Sequence, residues 1–291
     1  MSHVLTLIAE PSLMPLTDAI IARVRDAVRG KSVDVLSPGE AVDIFCADRP
    51  DGHDIAAALE RAPIDAIATK ARGRRKGLLV ADMDSTIVTT ETLDEIAAHA
   101  GLKEEVAAIT RRSMAGELDF AQALRERVAM LKGLKLEALG TTWERVEFSS
   151  GARELVATMR AHNATTALVS GGFTYFTARV AEALGFDTHR ANVLLDDGVA
   201  LTGEVEEPIL DREAKLATLQ ELAAARNLKI AGTLAVGDGA NDLAMIGAAG
   251  LGVAYWAKPV VLREAKAAIV HGSLRALLFA QGYHLEQIVG G

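Results

Sequence analysis

The segment Leu78-Leu79-Val80-Ala81-Asp82-Met83-Asp84-Ser85-Thr86 decides the fold of this chain. It is a short apolar run that ends in two carboxylates, one residue apart, and then in two hydroxyls. A continuous apolar run is typical of a buried parallel strand, and α/β sheets carry their chemistry where such strands end. Asp82 and Asp84 are therefore predicted to lie at the catalytic edge of a parallel sheet, as nucleophile and proton carrier for one phosphorus centre.

The D-x-D pattern alone is a weak signal, because the chain contains 39 acidic residues and a chance pair in a solvated loop is expected. Its position at the end of an apolar strand, rather than inside a polar run, favours a catalytic or metal-binding role.

The composition is that of a soluble α/β protein. The 291 residues suffice for one large or two modest domains, and 50% of them are hydrophobic but only 4% aromatic. The single cysteine, Cys46, excludes a disulfide framework and a cysteine zinc site, and it fits a reducing cytoplasm. Since Cys46 lies in an apolar run, we expect a buried side chain.

The formal net charge is −8, and residues 1–76 hold 11 basic and 11 acidic residues, so the acidic excess lies in the remainder. An acidic body predicts no nucleic-acid partner. The longest uncharged stretch, residues 243–257, is too short to span a bilayer. The chain shows no amino-terminal signal, so we predict a cytoplasmic protein without a membrane partner.

The first part of the chain predicts a small α+β domain over residues 1–72. Its apolar runs indicate two helices and four strands in the order β-α-β-β-α-β, which is the ferredoxin-like arrangement; the strands are predicted at 4–9, 33–36, 41–46 and 65–69. The run Lys70–Gly77 follows, with five basic residues. It is predicted to be a linker with a solvated surface, and a phosphate-contacting patch is the alternative.

From Leu78 onward strands alternate with helices, which predicts a doubly wound parallel sheet over residues 73–291. After Asp84 the chain runs through about 80 residues of helical pattern before the next strand. An insertion directly after a strand-end site is typical of a lid. We therefore expect a core of residues 77–88 and 150–291, with a helical cap at about 89–149.

Three more signals lie at or near predicted strand ends. Ser170-Gly171-Gly172 offers a hydroxyl and unhindered backbone amides to a phosphate, although an ordinary tight turn is the alternative. Lys215 could neutralise a phosphoryl group or could be a solvated helix lysine. Gly237-Asp238-Gly239-Ala240-Asn241-Asp242 suits a hard cation such as Mg²⁺, whereas its alternative is a structural turn with capping acids.

Together these four signals resemble the haloacid dehalogenase superfamily. The carboxylate of Asp84, two residues after Asp82, resembles the pattern found in the phosphatases of that superfamily. The resemblance implies that Asp82 is the nucleophile and Asp84 the general acid and base. It also implies Mg²⁺ held by Asp82, the backbone carbonyl of Asp84, and Asp238. Asn241 is expected on the phosphate side or behind the metal ligands.

The predicted cap extends the resemblance. Residues 82–94 (D-M-D-S-T-I-V-T-T-E-T-L-D) and the stretch 110–131 look like the phosphoserine phosphatase family. The family implies Mg²⁺-dependent hydrolysis of O-phospho-L-serine, the last step of L-serine biosynthesis. It further implies that Glu91 contacts the substrate ammonium and that Arg127 contacts its carboxylate. Met114 and Phe120 would form an apolar wall. The phosphate would be held by Ser170, Gly171 and Lys215.

Two further functions and one question about the first domain stay open. The substrate could be another small phosphomonoester, such as homoserine phosphate or phosphothreonine, or the chain could be a serine-binding regulatory protein with vestigial catalysis. Residues 1–72 resemble ACT-type amino-acid-binding modules, but the turn Ala9–Ser12 replaces a glycine-containing turn. This module could bind serine, support the fold, or form a homodimer.

Overall fold

The computed structural model describes residues 1–115 and 117–291, apart from the side chain of Met114. These residues form a four-stranded sheet, a six-stranded sheet and a two-stranded hairpin. The predicted fold class, a doubly wound α/β core after a small α+β sheet, is confirmed. No helix in the described ranges is both long and apolar enough to cross a membrane.

The amino-terminal sheet is antiparallel in the order β2-β3-β1-β4, which is the ferredoxin-like order. Its strands and helices are β1 (His3–Ala9), α1 (Asp18–Ala27), β2 (Ser32–Ser37), β3 (Ala41–Cys46), α2 (Gly52–Leu59) and β4 (Ile64–Lys70). One face packs on the two helices around Leu5, Val24 and Ile44. Cys46 is buried in that core, as predicted.

The second sheet is parallel, in the order β12-β11-β10-β5-β6-β7. Its strands are β5 (Leu78–Ala81), β6 (Thr165–Phe173), β7 (Thr188–Asn192), β10 (Thr233–Gly237), β11 (Leu251–Tyr255) and β12 (Ala268–Ile269). The strand order reverses between β5 and β10. In such sheets the reversal opens a crevice at the carboxyl ends of the strands, where ligands bind.

Helices flank this sheet, and a hairpin follows β7. The helices are α7 (Ala152–Ala161), α8 (Thr174–Leu184), α9 (Arg212–Ala225), α10 (Leu243–Ala248), α11 (Pro259–Glu264) and α12 (Ala276–Ala280). The hairpin consists of β8 (Leu194–Asp196) and β9 (Leu201–Val205). The strand β6 runs through Ser170 to Phe173, so these residues continue an extended segment instead of forming the tight turn that was the alternative prediction.

The insertion after β5 is helical, as predicted. It holds α3 (Thr92–Ala98), α4 (Lys103–Met114), α5 (Phe120–Ala129) and α6 (Glu137–Trp143). A bridge between Val88 and Phe148 closes its base. The hairpin supports its far side, because the backbone N–H of Gly133 donates to the Leu201 carbonyl at 2.8 Å. The insertion is therefore held to the core at two places.

Side-chain caps fix the start of the two helices that carry cations toward the site. The Asp119 carboxylate accepts a 2.8 Å hydrogen bond from the backbone N–H three residues later, at the start of α5. Asp211 does the same at 3.0 Å for α9. Such caps typically stabilise a helix by about 1 kcal/mol. They set the helical phase of Arg127 on α5 and Lys215 on α9.

The prediction that the basic run 70–77 has a solvated surface is wrong for two of its residues. Arg74 is 10% exposed, and its guanidinium binds both oxygens of Asp43, which is 1% exposed. The Arg74 Nη2 atom also donates to Thr6 Oγ1 at 3.0 Å and to the Phe279 carbonyl at 3.2 Å. Lys76 is buried as well. Arg74 and Lys76 are buried because the run passes between the two sheets, which share one apolar core, whereas Lys70, Arg72 and Arg75 stay exposed.

We expect replacement of Arg74 by methionine to lower the free energy of unfolding by about 3–5 kcal/mol, because the Asp43 carboxylate stays buried without its partner. Urea unfolding at neutral pH measures the change. The matched control is Arg125→Met, which removes an exposed ion pair with Glu207 and should cost below about 1 kcal/mol. Equal losses in the two variants would show that the buried pair does not hold the sheets together.

Candidate active site

The two acids predicted as nucleophile and proton carrier lie directly after β5, and both are buried. The backbone N–H of Asp82 donates to the Val236 carbonyl at 3.0 Å, which fixes this residue beside β10. The Asp84 side chain is held from two sides. Its Oδ1 atom accepts from the Thr92 backbone N–H at 2.8 Å, and its Oδ2 atom accepts from Ser170 Oγ at 3.1 Å.

The end of β6 meets the end of β5 at van der Waals distance. A Cβ atom on Gly172 would lie 2.6 Å from Asp84 Oδ2, and one on Gly171 would lie 2.6 Å from Phe120 Cζ. No side chain therefore fits at either position without displacement. The Gly172 backbone N–H donates to Ser170 Oγ at 2.8 Å. The structure thus brings Ser170, Gly171 and Phe120 to the two acids.

Lys215 is fully buried, so the alternative of a solvated helix lysine is wrong. Its Nζ atom lies 2.7 Å from Asp82 Oδ1 and 2.6 Å from Asp242 Oδ1. Burial lowers the pKa of this ammonium, but Asp242 and Asp82 raise it by more, and the net shift is upward. Lys215 therefore stays charged and holds the two carboxylates together.

Three buried carboxylates meet where the strand order reverses. Oxygens of Asp82, Asp238 and Asp242 all lie within 4.8 Å of one another. Burial raises the pKa of Asp82 well above its ordinary value, and Asp242 adds to the shift while Lys215 opposes it. Burial likewise raises the pKa of Asp238 to about 6, although Lys258, with Nζ 3.0 Å from Asp238 Oδ2, partly offsets it.

This cluster fits a divalent cation. Asp238 Oδ1 and Asn241 Oδ1 are buried and have no hydrogen-bond donor among the described residues. Buried acceptors without donors are costly, and oxygen ligands of this kind are what hard divalent cations bind. Asp242 is less free, because its oxygens already accept from Lys215 and from the Gly239 backbone N–H at 3.0 Å.

The cap contributes one acid and one cation above this cluster. Ser85 Oγ donates to Glu91 Oε1 at 2.7 Å. Burial raises the pKa of Glu91 to about 8, and the charges of Asp84 and Asp238 add to the shift. Glu91 lies 7 positions after Asp84 in the chain and directly precedes α3 as its N-cap residue, so one short turn carries both acids into the site.

Arg127 is buried in α5, and its orientation is fixed by neutral groups. Its Nε atom donates to the Ala123 carbonyl at 3.1 Å, and its Nη1 atom donates to Thr110 Oγ1 at 3.0 Å. Thr110 in turn donates to Asp94 Oδ1 at 2.6 Å. Burial lowers the pKa of Arg127, but a guanidinium starts so high that it keeps its charge. No described carboxylate pairs with it within 4.0 Å.

These groups surround one small cavity of about 30 Å³. Its lining includes most of the predicted site residues; they are Asp82, Asp84, Glu91, Phe120, Arg127, Ser170, Gly171 and Asn241. A space of this size holds about one water molecule. A ligand much larger than a water molecule can therefore enter this space only when the cap moves. The predicted contact of Met114 lies outside the described residues.

Several supporting groups were missed at the sequence level. The Thr92 backbone N–H, the Ser85 hydroxyl, Thr110 and Lys258 each hold one of the predicted residues by a single polar contact. A hydroxyl-rich turn before α3 is a visible signal for the first two. Lys258 has no such signal, since it reaches the site only because β11 lies beside β10.

The raised acid pKa values make a metal-free protein less stable at high pH. An acid with a raised pKa keeps its proton in the folded state after the unfolded chain has lost it, so its contribution to stability falls as the pH rises from about 4 through the folded pKa. The pKa of Asp238 in the folded state is about 6. When the pH rises from 5.5 to 8 in the presence of chelator, the free energy of unfolding should therefore fall in the parent. We expect this fall to be about 1 kcal/mol smaller in Asp238→Asn, which has no acid at that position.

Urea unfolding at the two pH values measures this difference. Asp18→Asn, the same change at an exposed residue of α1, should behave like the parent. A divalent cation should reduce the parent's loss, because it supplies the missing positive charge. If the parent loses no more stability than Asp238→Asn over this pH range, the raised pKa assigned to the buried Asp238 is contradicted.

Comparison with known proteins supports the fold and identifies the family. Residues 79–247 match the model of the haloacid dehalogenase-like hydrolase family. A protein named phosphoserine phosphatase from Streptomyces coelicolor is 39% identical over 295 residues, which cover 97% of this chain and 71% of that protein.

Two solved structures are similar as well. One is a phospho-aspartyl intermediate analogue of phosphoserine phosphatase, at 41% identity and a TM-score of 0.67, covering 70% of this chain and 98% of that one. The other is a probable phosphoserine phosphatase from Vibrio cholerae, unliganded, at 33% identity and a TM-score of 0.77, covering 98% and 88%. The chain therefore belongs to the haloacid dehalogenase-like hydrolase family, among the relatives that are named phosphoserine phosphatase.

Proposed function

We propose that this chain is a phosphoserine phosphatase, which hydrolyses O-phospho-L-serine to L-serine and phosphate through an aspartyl-phosphate on Asp82. One observation carries the proposal. The closed cavity joins an acidic cluster with buried acceptors to a guanidinium and a carboxylate on the cap. Phosphoserine carries a phosphate, a carboxylate and an ammonium, which are the charges that complement those three groups.

In the first step, a carboxylate oxygen of Asp82 attacks phosphorus in line as the bond from phosphorus to the serine oxygen breaks. Asp84 gives its proton to that oxygen. Burial raises the pKa of Asp84, while hydrogen bonds from Thr92 and Ser170 partly offset the shift. The same two donors aim the carboxyl group. They lie on the cap and on β6, so Asp84 is fully held only when the cap is closed.

In the second step, a water oxygen attacks the same phosphorus and the bond to Asp82 breaks. Asp84 takes the proton of that water and returns to its starting form. Lys215 holds Asp82 in place in both steps. We propose that Asp82, Asp238 and the backbone carbonyl of Asp84 would hold Mg²⁺, which neutralises charge on the phosphoryl oxygens. Ser170, Gly171 and Asn241 would bind those oxygens from the other side.

We propose that Arg127 binds the substrate carboxylate and Glu91 the ammonium. Arg127 is preorganised, because two neutral acceptors fix its plane and leave other N–H groups free for a paired contact. Phe120 and Leu124 line the cavity beside it and limit the access of water. Serine can leave only when the cap opens again, so cap motion is part of each turnover.

The domain division at residues 72 and 73, a cytoplasmic location and a homodimer also remain our proposals. The edge strand β2 supports the homodimer, since Val33 and Val35 are 37% and 50% exposed there and its outer edge has no partner among the described strands. Sedimentation of the full chain tests this point, and a monomer at all concentrations would contradict it.

The central test is phosphate release from O-phospho-L-serine, with and without Mg²⁺. We expect turnover only with the divalent cation, and we expect Asp82→Asn to lower kcat by about 10⁴-fold or more, because the amide cannot form the covalent intermediate. The control Asp18→Asn should keep full activity. Wild-type protein that releases no phosphate with Mg²⁺, or an Asp82→Asn variant with substantial turnover, would overturn the assignment.

The role of Arg127 has a separate test. We expect Arg127→Ala to lower kcat/KM for O-phospho-L-serine by about 10- to 100-fold, the range for loss of a charged hydrogen bond. The same variant should change little with phosphoethanolamine, which lacks the carboxylate. Arg125→Ala, two positions earlier on the exposed side of α5, is the matched control. An equal loss of kcat/KM with both substrates would show that Arg127 does not bind the substrate carboxylate.

A further inference from the structure

A second and much larger cavity lies at the opposite end of the parallel sheet. Its volume is about 690 Å³, and its lining includes residues that precede β5, β10 and β11 together with the basic run 70–76. The catalytic carboxylates follow the carboxyl ends of the same strands. Because β10 is five residues long, this cleft is roughly 15 Å from Asp238. It is therefore separate from the active site.

The cleft is lined by positive charge that nothing in the described structure balances. Its exposed cations are Arg49, Lys70, Arg72, Arg75, Lys229 and Lys266. No described carboxylate comes within 4.0 Å of any of them. Glu264 is the one acidic residue among the described lining. In a chain of net charge −8, such a concentration of unpaired cations creates a local positive field.

Lys76 adds a buried charge to this lining. It is 9% exposed, and its Nζ atom donates to the carbonyls of Gly73 at 2.9 Å and of Ala231 at 2.8 Å. An ammonium has three donors, so one is left over, and neither partner carries a negative charge. Burial lowers the pKa of Lys76. A nearby anion would remove this cost, and the cleft is the open space that could hold one.

One part of the cleft lining is apolar. It is formed by Leu243, Ile246 and Ala249. A ligand that contacts both parts therefore needs a multiply charged anionic part and an apolar ring. The volume lies within the usual range for small-molecule sites, about 300–1,000 Å³. A single phosphate would leave most of the cations unpaired.

We propose that this cleft binds a nucleoside di- or triphosphate. The phosphates lie against Lys76, Lys229 and Lys266, and the base lies against the wall of α10 and its following turn. Arg74 takes no part, since both of its carboxylate contacts are already made with Asp43. The inference does not depend on the reaction at Asp82, because the two sites share no residue.

Calorimetric titration of the full chain with ATP, in chelator, tests the proposal. We expect saturable binding, and we expect Lys229→Gln combined with Lys266→Gln to weaken it by about tenfold or more. The matched control combines Lys31→Gln with Lys132→Gln, which removes the same charge from exposed positions outside the cleft and should leave the affinity unchanged. Asp238→Asn should also leave it unchanged, because the active site is not involved.

Competition identifies the part of the ligand that is recognised. Tripolyphosphate should displace ATP, whereas inorganic phosphate and adenosine at the same concentration should not. Absence of ATP binding at about millimolar concentration, an equal loss in the two double variants, or equally tight binding of poly(U) would each overturn the proposal. Phosphate release from phosphoserine by the cleft variant should stay at the parent level, which shows that it is folded.

Discussion

Negative charge confined between β5 and β10 is the constraint on which the rest of this structure depends. Oxygens of Asp82, Asp238 and Asp242 share a volume from which the fold excludes water. Two lysines face them, and only one of these, Lys215, is fully buried. The fold can hold this arrangement because the strand order reverses at this point, so two strand ends and one helix converge without any of them bending. The acidic groups outnumber the lysines, and this excess suits the site to a cation rather than to a structural ion-pair network.

The cap adds two ionisable side chains above this carboxylate cluster. Glu91 and Arg127 bring one acid and one guanidinium over the cluster, and each is oriented by a hydroxyl rather than by an opposite charge. A neutral partner fixes direction without cancelling the field, so both groups stay available to a substrate. Their direct polar contacts are few, and the cap is attached to the core instead by the Val88–Phe148 bridge at its base and by the hairpin on its far side. Under the proposed function, Glu91 and Arg127 would therefore take part in both cap closure and substrate recognition.

Much of this could be predicted from the sequence, because local pattern determines it. The apolar run before Asp82, the glycines after Ser170, and the acids around Asp238 all lie at strand ends, and parallel strand ends share one edge. The solvated surface predicted for run 70–77 was wrong at Arg74 and Lys76 for a different reason. The partner of Arg74 is 31 positions away on β3, and no periodicity connects the two. Contacts of this kind depend on how two sheets pack, which is decided by tertiary structure.

The two buried cations of the basic run, Arg74 and Lys76, also explain why a positive cleft can exist in an acidic protein. Only a few residues connect β4 with β5, so the chain must cross between the sheets and carry its cations with it. Arg74 meets a carboxylate there and is neutralised. Lys76 donates to two carbonyl oxygens, which accept hydrogen bonds but carry no negative charge to balance the ammonium. A buried guanidinium and a buried ammonium, two positions apart, thus have opposite consequences. The first joins the sheets, and the second gives the space between them an attraction for anions.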